Sequence, residues 1–306
     1  MKKSAFNLLH ICAVLLVLAS TASAQELAAG HGGRPEPPMA GIHWAKGQGP
    51  NNGAKTTGSP NLIWHGGDVM TSVQTQVILW GAGWADTSFI QDKINGLDLW
   101  YSTVGGSSYI QTNHEYTAGN GQVTKTVGYS GHLVDLSAAP PRAPKTSDIL
   151  GEVCKMISDP QPNGYYAVYV DTPRGHAGYC AWHSAGTCGN GNTIQFAFFF
   201  NLDGDPGCDP GDTSGLHSQG MAALGNVTGH ELSEAMTDPH LDAWYDSGGA
   251  ENADKCAWSF GTDLLSFSGK SKWKIQGNWS NAAYNAGTGY ANRGGLTGCL
   301  DGGNYK

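Results

Sequence analysis

The chain has 306 residues, with 17 basic and 25 acidic side chains and a net charge of −8. That acidity, without a Lys/Arg cluster, argues against a nucleic-acid partner, which needs a basic face. Beyond the N-terminus, nothing approaches the ~20 consecutive apolar residues of a membrane span.

The first residues read as a secretory signal, residues 1–24. Lys2 and Lys3 precede an apolar run from Ile11 to Leu18 that contains Cys12, and Ala22-Ser23-Ala24 follows with small residues at the cleavage positions. Cleavage after Ala24 would begin the mature chain at Gln25. It would remove both lysines and no acid, leaving 15 basic against 25 acidic residues. The expected location is secreted or extracellular (periplasmic in a Gram-negative cell), with no membrane contact after signal cleavage. Six cysteines remain: Cys154, Cys180, Cys188, Cys208, Cys256 and Cys299. An even set in an exported chain predicts disulfides, with fifteen pairings open. One pairing joins Cys180 to Cys188 in a short loop and Cys256 to Cys299, leaving Cys154 with Cys208. No CxxC pair favours a cysteine zinc site.

Residues 25–60 are rich in Gly, Pro and Asn and poor in apolar residues, which predicts a flexible leader. His31 and His43 are read there as solvated. Residues 61–306 suffice for one domain. Val73–Trp80 reads as a strand, ending at Gly81. Ser88–Tyr101 reads as a helix, with Ile90, Ile94, Leu97 and Tyr101 at helical spacing. Tyr109–Tyr116 reads as a strand, and Val123–Leu136 as a strand or hairpin. Ser147–Ile157 reads as a helix capped by Ser147. Tyr165–Val170 and Thr193–Phe200 are strands, the second apolar throughout and therefore central. A third helix runs from Ser218 to Thr237, followed by an irregular, aromatic-rich tail.

That third helix carries the chemistry. With His230 at zero and 100° per residue, Glu234 falls about 40° away, Asp238 about 80° and Glu231 about 100°. Leu224, Ala235, Met221, Leu232 and Met236 occupy the opposite arc and can pack on a sheet. His230-Glu231-Leu232-Ser233-Glu234 is one residue from H-E-x-x-H, in which two His bind zinc and the Glu activates the attacking water. Glu234 stands at the second ligand position. A carboxylate ligates zinc but weakens it as a Lewis acid, and also suits calcium or manganese. The longer H-E-x-x-H-x-x-G-x-x-H spacing places His240 at the third ligand and Thr237 where the glycine would stand. Asp238 and Glu251 are rival third ligands, and His183 and His217 are available from loops.

Other segments carry less. Asp203 to Asp209 resembles a calcium-binding turn in composition but departs from the EF-hand pattern. Ser184 beside His183 lacks a G-x-S-x-G context. Trp258, Trp273, Trp279, Tyr284 and Tyr290 fit core packing better than sugar stacking. Asn226-Val227-Thr228 and Asn278-Trp279-Ser280 are glycosylation sequons, the first inside the predicted helix.

Gly66-Gly67-Asp68-Val69-Met70, then Val77-Ile78-Leu79-Trp80-Gly81 and Trp84, resembles the opening of the EXORDIUM/phosphate-induced protein family. Gly178-Tyr179-Cys180-Ala181-Trp182-His183-Ser184 is similar to its cysteine-plus-histidine segment, and Pro206-Gly207-Cys208 and Cys299 also fit. Microbial members resemble this chain in the stretch from His230 to Pro239, in Ala243 to Asp246, and in Glu251 to Cys256. The resemblance spans residues 62 to 301. It implies a secreted protein; plant members are associated with the cell wall and growth, without a settled activity.

The expected fold is α+β: a single zincin-like domain with a mixed β-sheet backed by helices, loop-rich and disulfide-stapled. The expected function is a metal-dependent, peptidase-like hydrolase. His230 and Glu234 bind zinc (calcium or manganese as alternatives), His240 or Asp238 completes the site, and Glu231 is the general base. Its substrate would be a peptide or a cell-wall polymer. The alternative is a non-catalytic extracellular binding or signalling protein in which the helix is structural or holds an ion.

Overall fold

The computed structural model describes residues 36–49 and 59–303. The expected signal segment, Gln25 and His31 lie outside the described residues. The central sheet contains β1 (Ala40–Trp44), β2 (Gln74–Trp80), β3 (Gly128–Asp135), β4 (Gly164–Pro173), β5 (Tyr179–Thr187) and β6 (Thr193–Asn201). Their spatial order is β1-β5-β6-β4-β2-β3. Strands β3, β2, β4 and β6 run parallel, whereas β5 is antiparallel to β6 and β1 antiparallel to β5. The inner strands β4 and β6 are buried along nearly their whole length, as continuous apolar runs require when both faces are covered. The expected central position of Thr193–Phe200 is therefore observed.

Three helices cover the sheet: α1 (Lys93–Val104), α2 (Thr146–Met156) and α3 (Gln219–Thr237). Successive strand residues face opposite sides. On β5, Gly186 faces Leu150 of α2, and His183 belongs to the other face, with α3. Helix α1 packs beside α3, where Gly96 leaves room for Met221. Ser218 caps α3, its Oγ accepting from the Met221 amide at 3.1 Å. From Gly220 to Thr237 every α3 residue is buried, so this is a core helix covered on all sides. Gly229 permits that: a Cβ there would lie 2.7 Å from the Tyr109 hydroxyl and 2.8 Å from Ile275.

Several expectations change. The single helix over 88–101 is broken at Gln91, which has φ +48, into a short turn and α1. Tyr109–Tyr116 is not a strand but a short helix, Ser108–Gln111, and a 3₁₀ turn, Thr112–Glu115. Ser107 caps it through a 3.3 Å bond from the Ile110 amide, and Tyr109 and Ile110 both enter the core. Lys145, not Ser147, is the N-cap of α2; its amide donates to Asp148 at 3.0 Å. His183, expected on a loop, lies on strand β5, Tyr179–Thr187. The expected leader contains β1, and His43 is buried rather than solvated. Composition hid β1 because its order comes from β5 and not from its own apolar content.

The disulfides are Cys154–Cys188, Cys180–Cys208 and Cys256–Cys299. The third was expected and the first two replace the other pairs. Cys180 and Cys188 stand at opposite ends of β5, and eight residues of strand span about 26 Å, far beyond what a disulfide bridges. The aromatic tail is mostly core: Trp273 and Trp279 are buried and Trp258, Tyr284 and Tyr290 partly so. Both sequon asparagines, Asn226 and Asn278, are buried. No helix among the described residues is long and apolar enough to cross a membrane.

Candidate metal centre

Three elements converge beneath β1. The middle of α3 presents His230, Glu231 and Glu234; β5 presents His183; and the segment after Ala250 presents Glu251 and Asp254. The Asp254 amide donates to Glu234 Oε1 at 2.8 Å, which ties that segment to α3. Cys256, two residues on, is fixed by its disulfide to Cys299. His183, His230, Glu231 and Glu234 are wholly buried, and Glu251 is 4 % exposed.

Two overlapping groups of donors result. His183, Glu231 and Glu234 form one, and His230, Glu234 and Asp254 the other, with each group's ligand atoms within 4.8 Å of one another. His230 Nε2 lies 3.1 Å from Glu234 Oε2 and 3.7 Å from Asp254 Oδ1. His183 Nε2 lies 3.2 Å from Glu251 Oε2 and 3.8 Å from Glu234 Oε2. Four of these atoms have no hydrogen-bond partner among the described residues: His230 Nε2, Glu234 Oε2 and both oxygens of Glu231. Buried polar atoms are nearly always paired. His230 Nε2 and Glu234 Oε2 approach to 3.1 Å without a hydrogen bond forming between them.

The charge balance points the same way. Burial, then Glu234 and Asp254, pushes the Glu231 carboxyl well above its usual range. Glu234, Glu251 and Asp254 are also pushed up, each chiefly by burial and further by neighbouring carboxylates. The imidazoles supply no countercharge. Burial holds His230 down at about 3, and burial with His230 nearby does the same to His183. Lys255, which acts on Asp254, is itself paired with Asp246 at 2.5 Å. Buried carboxylates in this number need a cation or protons. The donor set of imidazole nitrogen and carboxylate oxygen suits zinc, with manganese or calcium as harder alternatives.

Gln276 sets the outer layer. Its Oε1 accepts from the Trp258 amide at 3.1 Å and its Nε2 donates to the Ala253 carbonyl at 3.0 Å, which fixes the amide. His43 Nε2 therefore donates to Oε1 at 2.8 Å, and Gln276 Nε2 donates to His230 Nδ1 at 2.9 Å. With Nδ1 accepting, neutral His230 carries its proton on Nε2, inside the donor group. A cation held by Nε2 displaces that proton, and Nδ1 then needs an acceptor. His183 faces a like constraint: its Nε2 lies 3.2 Å from Glu251 Oε2, and its buried Nδ1 has no partner among the described residues.

His230 and Glu234 thus stand where the sequence places them, within one donor cluster. Asp238 and His240 are engaged elsewhere and belong to neither donor group. Asp238 Oδ1 accepts from the Asp242 and Ala243 amides, both at 2.7 Å, closing the exit of α3. His240 Nε2 lies 3.1 Å from the Gln195 amide. Thr237 remains helical, so the chain leaves α3 without the turn that would bring His240 back. Glu251 is near the site, and His183 reaches it from a strand and not from a loop. Asp254 was not singled out, though its spacing of three from Glu251 was visible; nothing in sequence marked Gln276. His217 stacks on Trp273, and its Nε2 donates to the Lys272 carbonyl at 2.9 Å. Asp203 pairs with Lys93 at 2.5 Å and Asp205 with Arg174, so two of that turn's three acids already have cations, while Asp209 Oδ1 accepts from the Gly211 amide at 2.7 Å. Ser184 Oγ donates to the Pro38 carbonyl at 2.6 Å and not to His183. No family model, curated protein or solved structure matches the chain.

Proposed function

We propose that the protein is a secreted metal-dependent hydrolase of the peptidase type. One observation carries this: buried imidazole and carboxylate donors converge around Glu234, with an additional carboxylate, Glu231, that no side chain among the described residues hydrogen-bonds and that only the His43 backbone amide favours. Zinc held there would polarise a carbonyl and lower the pKa of water. Glu231 takes a proton from the attacking water and passes it to the leaving amine. His230, Glu234 and Asp254, one of the two donor groups, would hold the cation, with His183 and Glu251 close enough to orient or complete the set. A zincin-like architecture and membership of the EXORDIUM/phosphate-induced protein family are part of this proposal and rest on the residues quoted above. So does export, which the three disulfides support.

Metal content and turnover of Glu231→Gln test it. The expected result is about one zinc per chain in both proteins, with peptide hydrolysis only in the wild type. Loss of zinc in the variant would make Glu231 a ligand instead. Absence of transition metal from both would end the hydrolase reading. A second reading is favoured by the burial of the donors. Structural zinc sites are closed, whereas catalytic ones keep an open position. In that reading the ion stabilises a non-catalytic extracellular protein, and its removal lowers the melting temperature without loss of any activity.

A further inference from the structure

We propose that β1 is a displaceable occupant of a peptide-binding edge: the protein holds its own segment 36–49 where an extended substrate strand would lie. The inference rests on the hydrolase reading above, since it names the substrate class of that site and the contact that closes it.

Strand β5 pairs with β6 in unbroken register from Ala181↔Phe199 to Thr187↔Thr193. Its other edge is taken by β1, whose pairing carries two register shifts within five residues, between Ala40 and His43 and between His43 and Trp44. Without β1, β5 would present a free row of backbone donors and acceptors, the arrangement that binds extended peptides by strand addition. That edge runs directly past the donor cluster, because His183 is a β5 residue.

The inward residues of β1 are those a passing backbone would need. Its burial alternates, with Gly41 and His43 facing in. A Cβ at Gly41 would lie 2.2 Å from His183 Nε2 and 2.4 Å from Glu234 Oε2. Only a residue without a side chain passes there, and its φ of +50 also favours glycine. The bulge falls at this point, which places main chain and not side chain against the chemistry. His43 then fills the space beside His230, ring centroids 4.3 Å apart, and reaches Gln276. Donors that would otherwise face solvent are covered by backbone in the orientation a substrate strand would take.

The test uses the full chain with a specific protease sequence placed within residues 50–58. After cleavage, binding of a fluorescein-labelled synthetic peptide of residues 36–49 is followed by polarisation. The expected result is saturable one-to-one binding to the cut protein and at least about tenfold weaker binding to the uncut one. The same peptide with Gly41→Val should bind about 100-fold more weakly, since its side chain has no space. In the zinc-loaded cut protein, casein hydrolysis should rise about tenfold over the uncut form. A cut chain that keeps its own segment and never exchanges it with the labelled peptide would overturn the inference, as would one that unfolds on cleavage. Hydrogen exchange on the uncut wild type guards against an uninformative cleavage product. The Gly41–Trp44 amides should exchange about 100-fold faster than those of β6, and equal protection would make β1 a permanent strand. Peptide binding without hydrolysis would leave the inference standing and remove the hydrolase reading. Equal hydrolysis by cut and uncut protein would do the reverse.

Discussion

Glu231→Gln should stabilise the metal-free protein at neutral and alkaline pH, although it removes the proposed base. Both Glu231 oxygens are buried with no side-chain hydrogen-bond partner among the described residues, and Glu234 and Asp254 repel it, opposed only by the His43 backbone amide. A carboxyl whose folded pKa is raised contributes stability that is present below its unfolded pKa and lost as pH rises through the folded one. The wild type, with metal chelated, therefore loses stability as pH rises above the unfolded carboxylate's value of about 4, while the glutamine variant is spared this residue's share. Glutamine still buries an unsatisfied amide, so only the charge is removed, a gain of about 1–3 kcal/mol at pH 8. At about 2–4 °C per kcal/mol for a domain of this size, the melting temperature should rise by about 2–12 °C. Near pH 4 the two proteins should melt together. With zinc added at pH 8 the wild type should recover its deficit, since the cation compensates the charge. Differential scanning calorimetry in chelator and in zinc, at both pH values, measures all of this. A variant less stable than wild type in chelator at pH 8 would refute the reasoning, because it would show Glu231 satisfied by its surroundings.

Gln276→Glu should raise zinc affinity about tenfold, because a carboxylate accepts the Nδ1 proton that His230 must carry once its Nε2 ligates; competition with a chromophoric chelator reads this, and weaker zinc binding would count against His230 as a ligand. Replacing Cys256 and Cys299 with serine opens a loop of sequence separation 43. It should cost about 4 kcal/mol in guanidinium unfolding, and would also release the segment carrying Glu251 and Asp254, so zinc binding should weaken with it. Asp203→Asn leaves the buried Lys93 ammonium without the carboxylate at 2.5 Å. The expected loss is about 3–5 kcal/mol by thermal or denaturant melting, with no response to added calcium; a calcium-dependent wild-type midpoint would restore the ion-binding reading of that turn.

The sequence was informative where a short-range pattern carries the physics. The periodicity of α3 and the spacing of His230, Glu231 and Glu234 fix their common side of one helix, since four residues return the chain to nearly the same face. The apolar runs that became β4 and β6 identify buried strands for a similar reason. The extent of α3 was legible as well: the helix expected from about Ser218 begins at Gln219, with Ser218 as its cap. In each case the deciding interactions lie within a few residues. Tertiary structure decided the rest. Which cysteines meet depends on β5 being extended, and β5 was hidden because Ala181, His183 and Ser184 carry little strand propensity of their own. His183, Glu251 and Asp254 meet the α3 donors across 17 or more residues of sequence, through contacts whose energy no local pattern records. His240 was favoured by spacing alone, yet the chain leaves α3 through Asp238, whose carboxylate takes two backbone amides and directs the exit elsewhere. Local sequence thus determined the helix that offers donors, while long-range backbone hydrogen bonding determined which other donors face it and placed β1 across them.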